Sequence, residues 1–471
     1  MQLPHKTTIQ SLVKLLLFSS SFGAIYILVS VLLLATSSKL TNVRSSSQNV
    51  NEPTPTTLDH LVFGIASSGS SWPKRKEYIK LWWSKKPNTT MRGCVFVDKL
   101  PNPPEENANN YEDSLFPLCV SEDTSRFRYT SKTGMRSALR VARVVKEIVA
   151  MNHSDVRWYV FGDDDTVFFP QNVVKTLSKY DHDLWYYIGA NSESFKQNWF
   201  CGFGMGYGGA GFAISSSLAR VLAKAFDSCI QRYPYLYGSD ARVYSCIAEL
   251  GIGLTREPGF HQVDLRGNIF GLLAAHPVTP LLSLHHPELT DPIFPNMTNL
   301  KALQHLFEAV NVDSQRILQQ TVCYDKRFSW TISVSWGYAV QVYHGHMSLP
   351  DVLKVQQTFE RFTKGTPLAD LYSFNIRGFH PDPCKRPTIF YLDNLSHGKD
   401  GIIISSYKKS FQNCSSNIAS PEVIKVATSK LDLNIKQTQR RHCCDVLPSS
   451  VPELMEIAIR ECKEDELIYM H

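Results

Sequence analysis

The stretch WYVFGDDDTVFF, Trp158–Phe169, sets three consecutive carboxylates between two runs of aromatic and β-branched residues. Like charges repel, and apolar neighbours make burial of an anion costly, so an idle acidic triple belongs on a solvated turn. Its flanks point elsewhere. Arg157–Gly162 reads as a buried strand, which presents Asp163, Asp164 and Asp165 at the end of a rigid element, where a divalent cation can offset their repulsion.

Working outward, PQNVVKTLSKY reads as a helix with Pro170 in its first turn, and LWYYIGA as the next strand. Upstream, GMRSALRVARVVKEIVA sets Met135, Leu139, Ala142, Val145 and Val149 on one helical face, with Arg136, Arg140, Arg143 and Glu147 off it. Further back, HLVFGIASS, WPKRKEYIKLWW and GCVFVDK read as strand, helix and strand, with Tyr78, Leu81 and Trp82 sharing a face of that helix. Alternating strands and helices predict an α/β domain with a mainly parallel sheet, whose ligands bind beyond the carboxyl ends of the strands.

Three further segments carry possible chemistry. WFCGFGMGYGGAGFAIS, Trp199–Ser215, holds six glycines in seventeen residues, a density that lets backbone pass close to a ligand; without phosphate-loop or Rossmann spacing it equally reads as a tight loop. YGSDARVYSCIAELG sets Asp240 at a helix start, with Val243, Ile247 and Leu250 inward and Gly251 ending the helix. As a cap Asp240 needs no other role, though a partly exposed carboxylate there is also a candidate base. His261, His276 and the pair His285–His286 are candidate metal ligands among which spacing does not choose.

The remainder sets the surroundings. The chain has 471 residues, 49 basic and 43 acidic, for a net charge of +6, without an arginine-rich run or zinc-finger spacing that would point to nucleic acid. Leu15–Ala35 is uncharged over 21 residues, about 31 Å as a helix, and is expected to be one membrane anchor rather than a cleaved signal. Five sequons, at Asn88, Asn152, Asn296, Asn394 and Asn413, and all eleven cysteines follow it, which fits a lumenal, oxidising compartment and a type II topology. An odd cysteine count leaves at least one thiol unpaired within the chain, and adjacent Cys443–Cys444 leaves the connectivity open. The expected organisation is a cytoplasmic tail over 1–14, the anchor over 15–35, a Ser/Thr/Asn/Pro-rich stem over 36–58, a first domain over 59–295 and a β-rich region over 296–471. In the last, RFSWTISVSWGYAVQVYHG alternates like a hairpin, and Trp330, Trp336 and Tyr338 read as a buried strand face in preference to a surface that stacks on sugars. Disulfides among Cys414, Cys443, Cys444 and Cys462 are expected to hold that region.

Taken in order, WYVFGDDDTVFF, LWYYIGANSES, GYGGAGFAIS, GSDARVYSCIAELG and EPGFHQVDLRG resemble the fringe-type branch of the inverting β-1,3-glycosyltransferases, most closely the plant fringe-related membrane proteins, over roughly residues 60–292. The resemblance implies a GT-A type fold and a Golgi membrane enzyme that uses Mn2+ to move a sugar from a UDP-sugar to a hydroxyl of a glycan or glycoprotein, with inversion. By position it implies Asp165 as a direct metal ligand, Asp163 and Asp164 on the ribose or in the metal's outer shell, Gly208 and Gly209 in the acceptor-side glycine loop, and Asp240 as catalytic base. LLSLHHPE resembles the terminal histidine strand of core-1-type galactosyltransferases and implies His285 as metal ligand. GFHQVDL resembles the fringe FHSH segment and implies His261, with Val263 where the second histidine would stand; His285 ranks first, His261 second and His286 below both. Gly238 and Ser239 precede Asp240 where fringe enzymes have proline and Asp, so acceptor choice does not transfer. Fold alone does not establish turnover. A glycan-binding scaffold that has lost activity is the alternative, and a calcium-dependent receptor a third reading.

Overall fold

A computed structural model describes residues 26, 28–30, 55–83, 85–86, 89–101, 116–411, 421–435, 437 and 439–469. The expected tail, most of the anchor and nearly all of the stem, with Asn88, Cys414 and Asn413, lie outside them. Among the described residues no helix is long and apolar enough to cross a membrane. Residues 56–471 form one compact unit, the one considered below.

The strands that build the site are β1 (Leu61–Ala66), β2 (Arg92–Val97), β3 (Leu118–Val120), β4 (Trp158–Asp163), β5 (Val167–Phe168), β6 (Tyr187–Gly189), β7 (Phe212–Ser215), β8 (Leu254–Arg256), β9 (Phe260–His261) and β10 (Ser283–Leu284). The helices are α1 (Trp72–Lys80), α2 (Ser137–Ala150), α3 (Pro170–Leu177), α4 (Phe195–Cys201), α5 (Ser216–Arg232), α6 (Ser239–Glu249) and α7 (Asn299–Asp313). A seven-stranded sheet runs β8-β6-β7-β4-β1-β2-β3. Strands β4, β1, β2 and β3 are parallel neighbours, and only β7 runs against its partners β4 and β6.

Both faces of this sheet are covered, which is why its strands are apolar throughout rather than alternating. Period-two geometry sends Leu61, Phe63, Ile65, Trp158 and Val160 into one core, while Val62, Ala66, Tyr159 and Phe161 enter a second core under α2, α5 and α6. Leu139, Ala142 and Val145 of α2 are buried as its periodicity predicts. Two expectations for this helix fail. Met135 precedes the helix and is exposed, whereas Arg143 and Glu147 are buried. Helix α5 covers their side, and Asp227 on it accepts from Arg143 Nε at 2.9 Å, while Glu147 and Glu122 accept from the two terminal nitrogens at 3.0 and 2.7 Å. A guanidinium with all three arms paired tolerates burial that an isolated one would not.

The C-terminal region adds β11 (Gln320–Asp325), β12 (Trp330–Ser335), β13 (Ala339–Tyr343), β14 (Thr388–His397), β15 (Ile403–Lys409), β16 (Val423–Thr428), β17 (Cys443–Leu447) and β18 (Leu454–Arg460), in the order β11-β12-β13-β14-β15-β16-β18-β17. The expected hairpin is β12–β13, turned through Gly337 at φ +75°. Trp330, Trp336 and Tyr338 are buried. This sheet does not stand apart: Trp336, Tyr338, Val340 and Tyr407 belong to the same core as Leu61 and Trp158. Alternation along β17 sends adjacent Cys443 and Cys444 to different partners, Cys462 and Cys323. Cys94–Cys119 and Cys229–Cys246 close the first sheet and its helices, Cys384 is also disulfide-bonded, and Cys201 is the free thiol among the described residues. The described sequon asparagines, Asn152, Asn296 and Asn394, are all exposed.

Candidate functional site

Strand pairing explains how distant residues reach Asp163–Asp165. Because β1 and β4 are parallel and paired through Ala66 and Asp163, the turn after β1 lies beside the acids. Ser67 Oγ and Ser71 Oγ donate to Asp164 Oδ2 at 2.7 and 2.6 Å, and Arg75 of α1 donates to Asp164 Oδ1 at 2.9 Å. The same guanidinium reaches Asp165 and Glu288, each at 3.2 Å. Asp164 is thus spent on holding the turn, and the sequence did not single out Arg75, Ser67 or Ser71. The signal was there: GIASSGSS follows a strand predicted to be parallel to the one that carries the acids.

Strand β7 runs against β4 and starts opposite Phe161, so the loop before it arrives at Asp163. That loop is the glycine-rich one. A Cβ on Gly209 would sit 2.0 Å from the His285 ring, and one on Gly208 would sit 2.5 Å from Asp240 Oδ1. Only hydrogen fits at either position. Thr166 ties the pieces together, accepting from the Asp163 N–H and donating to the Gly209 carbonyl, both at 2.8 Å.

The third arrival is β10, antiparallel to β5 with Leu284 opposite Val167. The next residue, His285, therefore faces the acidic turn. Its Nε2 lies 3.1 Å from Asp165 Oδ1 and 3.8 Å from Asp163 Oδ2, and its Nδ1 donates to the Gln262 carbonyl at 3.1 Å. The carbonyl contact fixes the tautomer and leaves Nε2 for the acids or for a cation between them. Burial opposes protonation of His285, but Asp165 outweighs it and lifts the imidazole above its ordinary range; the reciprocal pairing holds Asp165 down despite burial. Asp163 is pushed up to about 7, by burial and then by Asp165, Asp240 and Asp164 against the opposing pull of His285.

Ligand atoms of Asp163, Asp165 and His285 all lie within 4.8 Å of one another, close enough to hold one ion. Two carboxylates and an imidazole suit Mn2+ or a similar divalent cation. His261 is placed elsewhere: its Nδ1 contacts Glu193 Oε1 at 3.0 Å, and its ring packs 5.1 Å from that of His276. His286, with φ +56°, packs between the His285 ring at 3.7 Å and the Phe362 ring at 5.5 Å, and its ring nitrogen is not among the clustered ligand atoms. His276 is buried with Nδ1 on the Pro277 carbonyl.

Asp240 is not the helix cap. Gly238 holds that position, and Asp240 is the second residue of α6, where Ser239 Oγ donates to it at 2.9 Å. Asp240 and Asp163 line one small cavity with Gly208. Burial pushes the Asp240 carboxyl above the usual range, against the pull of the Gly208 N–H and the Ser239 hydroxyl, which makes it more basic than a solvated aspartate.

Similarity to known proteins can be set beside this geometry. No curated protein matches the chain. Two solved structures of the galactosyltransferase LgtC, one in complex with donor and acceptor sugar analogs and one of an active-site mutant, align at 15% and 14% identity. Each covers 52% of this chain and 94% of the LgtC chain with a TM-score of 0.33, a likeness too loose to carry weight. A family model described as "Protein of unknown function, DUF604" matches residues 197–444, which include the glycine loop, Asp240, His285 and most of the C-terminal sheet. That match spans more than half of the sequence, and the chain belongs to the DUF604 family.

Proposed function

We propose that the protein is an inverting glycosyltransferase of fringe-like type that moves a sugar from a UDP-sugar to a hydroxyl of a glycan or glycoprotein. The observation that carries this reading is the meeting of a cation-competent set, Asp163, Asp165 and His285, with a carboxylate of raised proton affinity, Asp240, across one cavity walled by Gly208. Asp240 takes the proton of the acceptor hydroxyl. The acceptor oxygen bonds to the anomeric carbon as that carbon's bond to the diphosphate oxygen breaks, and UDP leaves with the electron pair, so the configuration inverts. Asp163, Asp165 and His285 would hold Mn2+, which neutralises charge on the departing diphosphate. Arg75 and Thr166 keep the acidic turn in place, and Gly208 and Gly209 let the backbone pass between base and histidine.

In this reading residues 59–295 form the transferase part and 296–471 complete its core. The three exposed sequons, the disulfides and the uncharged Leu15–Ala35 stretch support a type II Golgi protein with its catalytic part in the lumen. The test is to express the full chain in a secretory host and screen UDP-sugars for hydrolysis and transfer, with Mn2+ or with chelator. Turnover in Mn2+ that chelator and Asp165→Ala both abolish is expected. Sugar binding without turnover of any donor would favour the scaffold reading instead.

A further inference from the structure

Away from the acidic turn lies a cavity of about 730 Å3, between the Ala190–Glu193 segment with Arg256–His261 on one side and Pro350–Val355, Ser373–Asn375 and Arg441 of the C-terminal region on the other. None of Asp163, Asp165, Asp240 or His285 lines it. The volume falls in the range of about 300–1,000 Å3 usual for small-molecule sites.

Two acids and three cations line its wall. The two acids, Glu193 and Glu257, are buried and already engaged: Glu193 accepts from the Val263 N–H at 2.7 Å and faces His261, and Glu257 takes Lys179 and Tyr180. The cations are not compensated in the same way. Arg441 is half-buried, its hydrogen bonds go to the Gln320 carbonyl and side chain, and no carboxylate among the described residues pairs with it; burial pushes it down to about 10. Arg256 stands exposed at the rim, and Lys354 pairs only with exposed Asp351.

A second observation marks the wall as a built site. His261 is only 6% exposed, and with Nδ1 on Glu193 its Nε2 has no partner among the described residues; Asn191 gives Nδ2 to the Phe203 and Met205 carbonyls and leaves its buried Oδ1 likewise without one. Unpaired buried acceptors are rare and are satisfied by a hydroxyl donor or water that comes with a ligand. Phe260 and Phe374 add flat apolar surface, of the kind that packs against the C–H face of a sugar ring.

We propose that this cavity binds an acidic sugar, its carboxylate on Arg441 and the neighbouring cations and its hydroxyls toward His261 and Asn191. The site is separate from the transfer centre and does not rest on the reading above.

Calorimetry on the full-length chain in detergent, with glucuronate, glucose and inorganic phosphate as probes, tests it. Glucuronate is expected to bind at least tenfold more tightly than either glucose or phosphate. Arg441→Gln should weaken glucuronate at least tenfold, and Leu353→Trp, which fills the cavity, should abolish binding. Asp165→Ala should leave glucuronate affinity unchanged. Equal affinity for glucose or phosphate overturns the proposal, as does absence of glucuronate binding to the wild type. Affinity that survives both Arg441→Gln and Leu353→Trp, or is lost in Asp165→Ala, also overturns it.

Discussion

Two charge clusters, one along α2 and one at the carboxyl end of β4, are balanced differently. Beneath α2, the carboxylates of Asp227, Glu122 and Glu147 face the cations Arg143, Lys146 and Arg126. At the carboxyl end of β4, Asp163, Asp164, Asp165, Asp240 and Glu288 face Arg75 and His285, with Arg140 and His286 nearby. The first set is complete within the protein and reads as structure. The second carries surplus negative charge held in place by strand pairing, a helix and a glycine loop, which is what a cation site requires before its cation arrives.

Removing an acid from the unbalanced cluster has the largest expected effect. Asp240→Asn keeps the shape but removes the proposed base, and transfer is expected to fall by about 10²–10⁴-fold with UDP binding retained, measured by initial rates and by UDP titration. In the balanced cluster the loss falls on folding instead. Arg143→Met leaves three carboxylates without their central partner and is expected to destabilise the protein by about 3 kcal/mol in urea unfolding, with Mn2+ affinity unchanged. If Arg143→Met weakened Mn2+ binding, the division between the clusters would be wrong.

A smaller effect is expected at Gly209, whose added Cβ in Gly209→Ala collides with the His285 ring. The histidine must shift, and Mn2+ affinity should drop about 10–100-fold while the urea midpoint moves little. Unchanged affinity would remove His285 from the ligand set. The smallest is a pH effect on the balanced cluster. Burial pushes Asp227 up, but its bonds from Arg143 and Lys146 prevail and hold it at about 2, below the ordinary 3.8. A depressed folded-state pKa contributes stability that is present above the unfolded value and lost as pH falls through the folded one. The urea midpoint of the wild type should therefore decline between about pH 4 and pH 2 more steeply than that of Asp227→Asn.

Local pattern made β4 and its acids legible, because a strand apolar on both faces has few other readings, and the glycine density announced a close backbone approach. What the sequence did not reveal depended on long-range pairing. Arg75 meets Asp164 only because β1 lies beside β4, and spacing did not choose among the histidines, where the resemblance ranked His285 first, because what brings His285 to the acids is β10 running against β5. Periodicity sets Arg143 off the apolar face because it registers polarity, not partners, and its partners Glu122 and Asp227 lie far off in the chain. From its own segment Asp240 reads as a cap, because aspartate favours that position, and only the resemblance favours a base; Gly238 takes the cap position and Asp240 lines the cavity. The C-terminal strands were visible by their alternation, but nothing local told that their apolar face closes the core of the first sheet.

The central claim is that the surplus acids at the end of β4 hold a divalent cation on which a nucleoside diphosphate settles. Electron paramagnetic resonance measures it directly, since free Mn2+ gives a signal that bound Mn2+ loses. Titrating the full-length protein into Mn2+ should quench the signal at one ion per chain, with tighter binding when UDP is present, and Asp165→Ala should restore the free-ion signal in both cases. Mn2+ that stays free with wild-type protein and UDP together, or quenching that Asp165→Ala leaves intact, would contradict the claim.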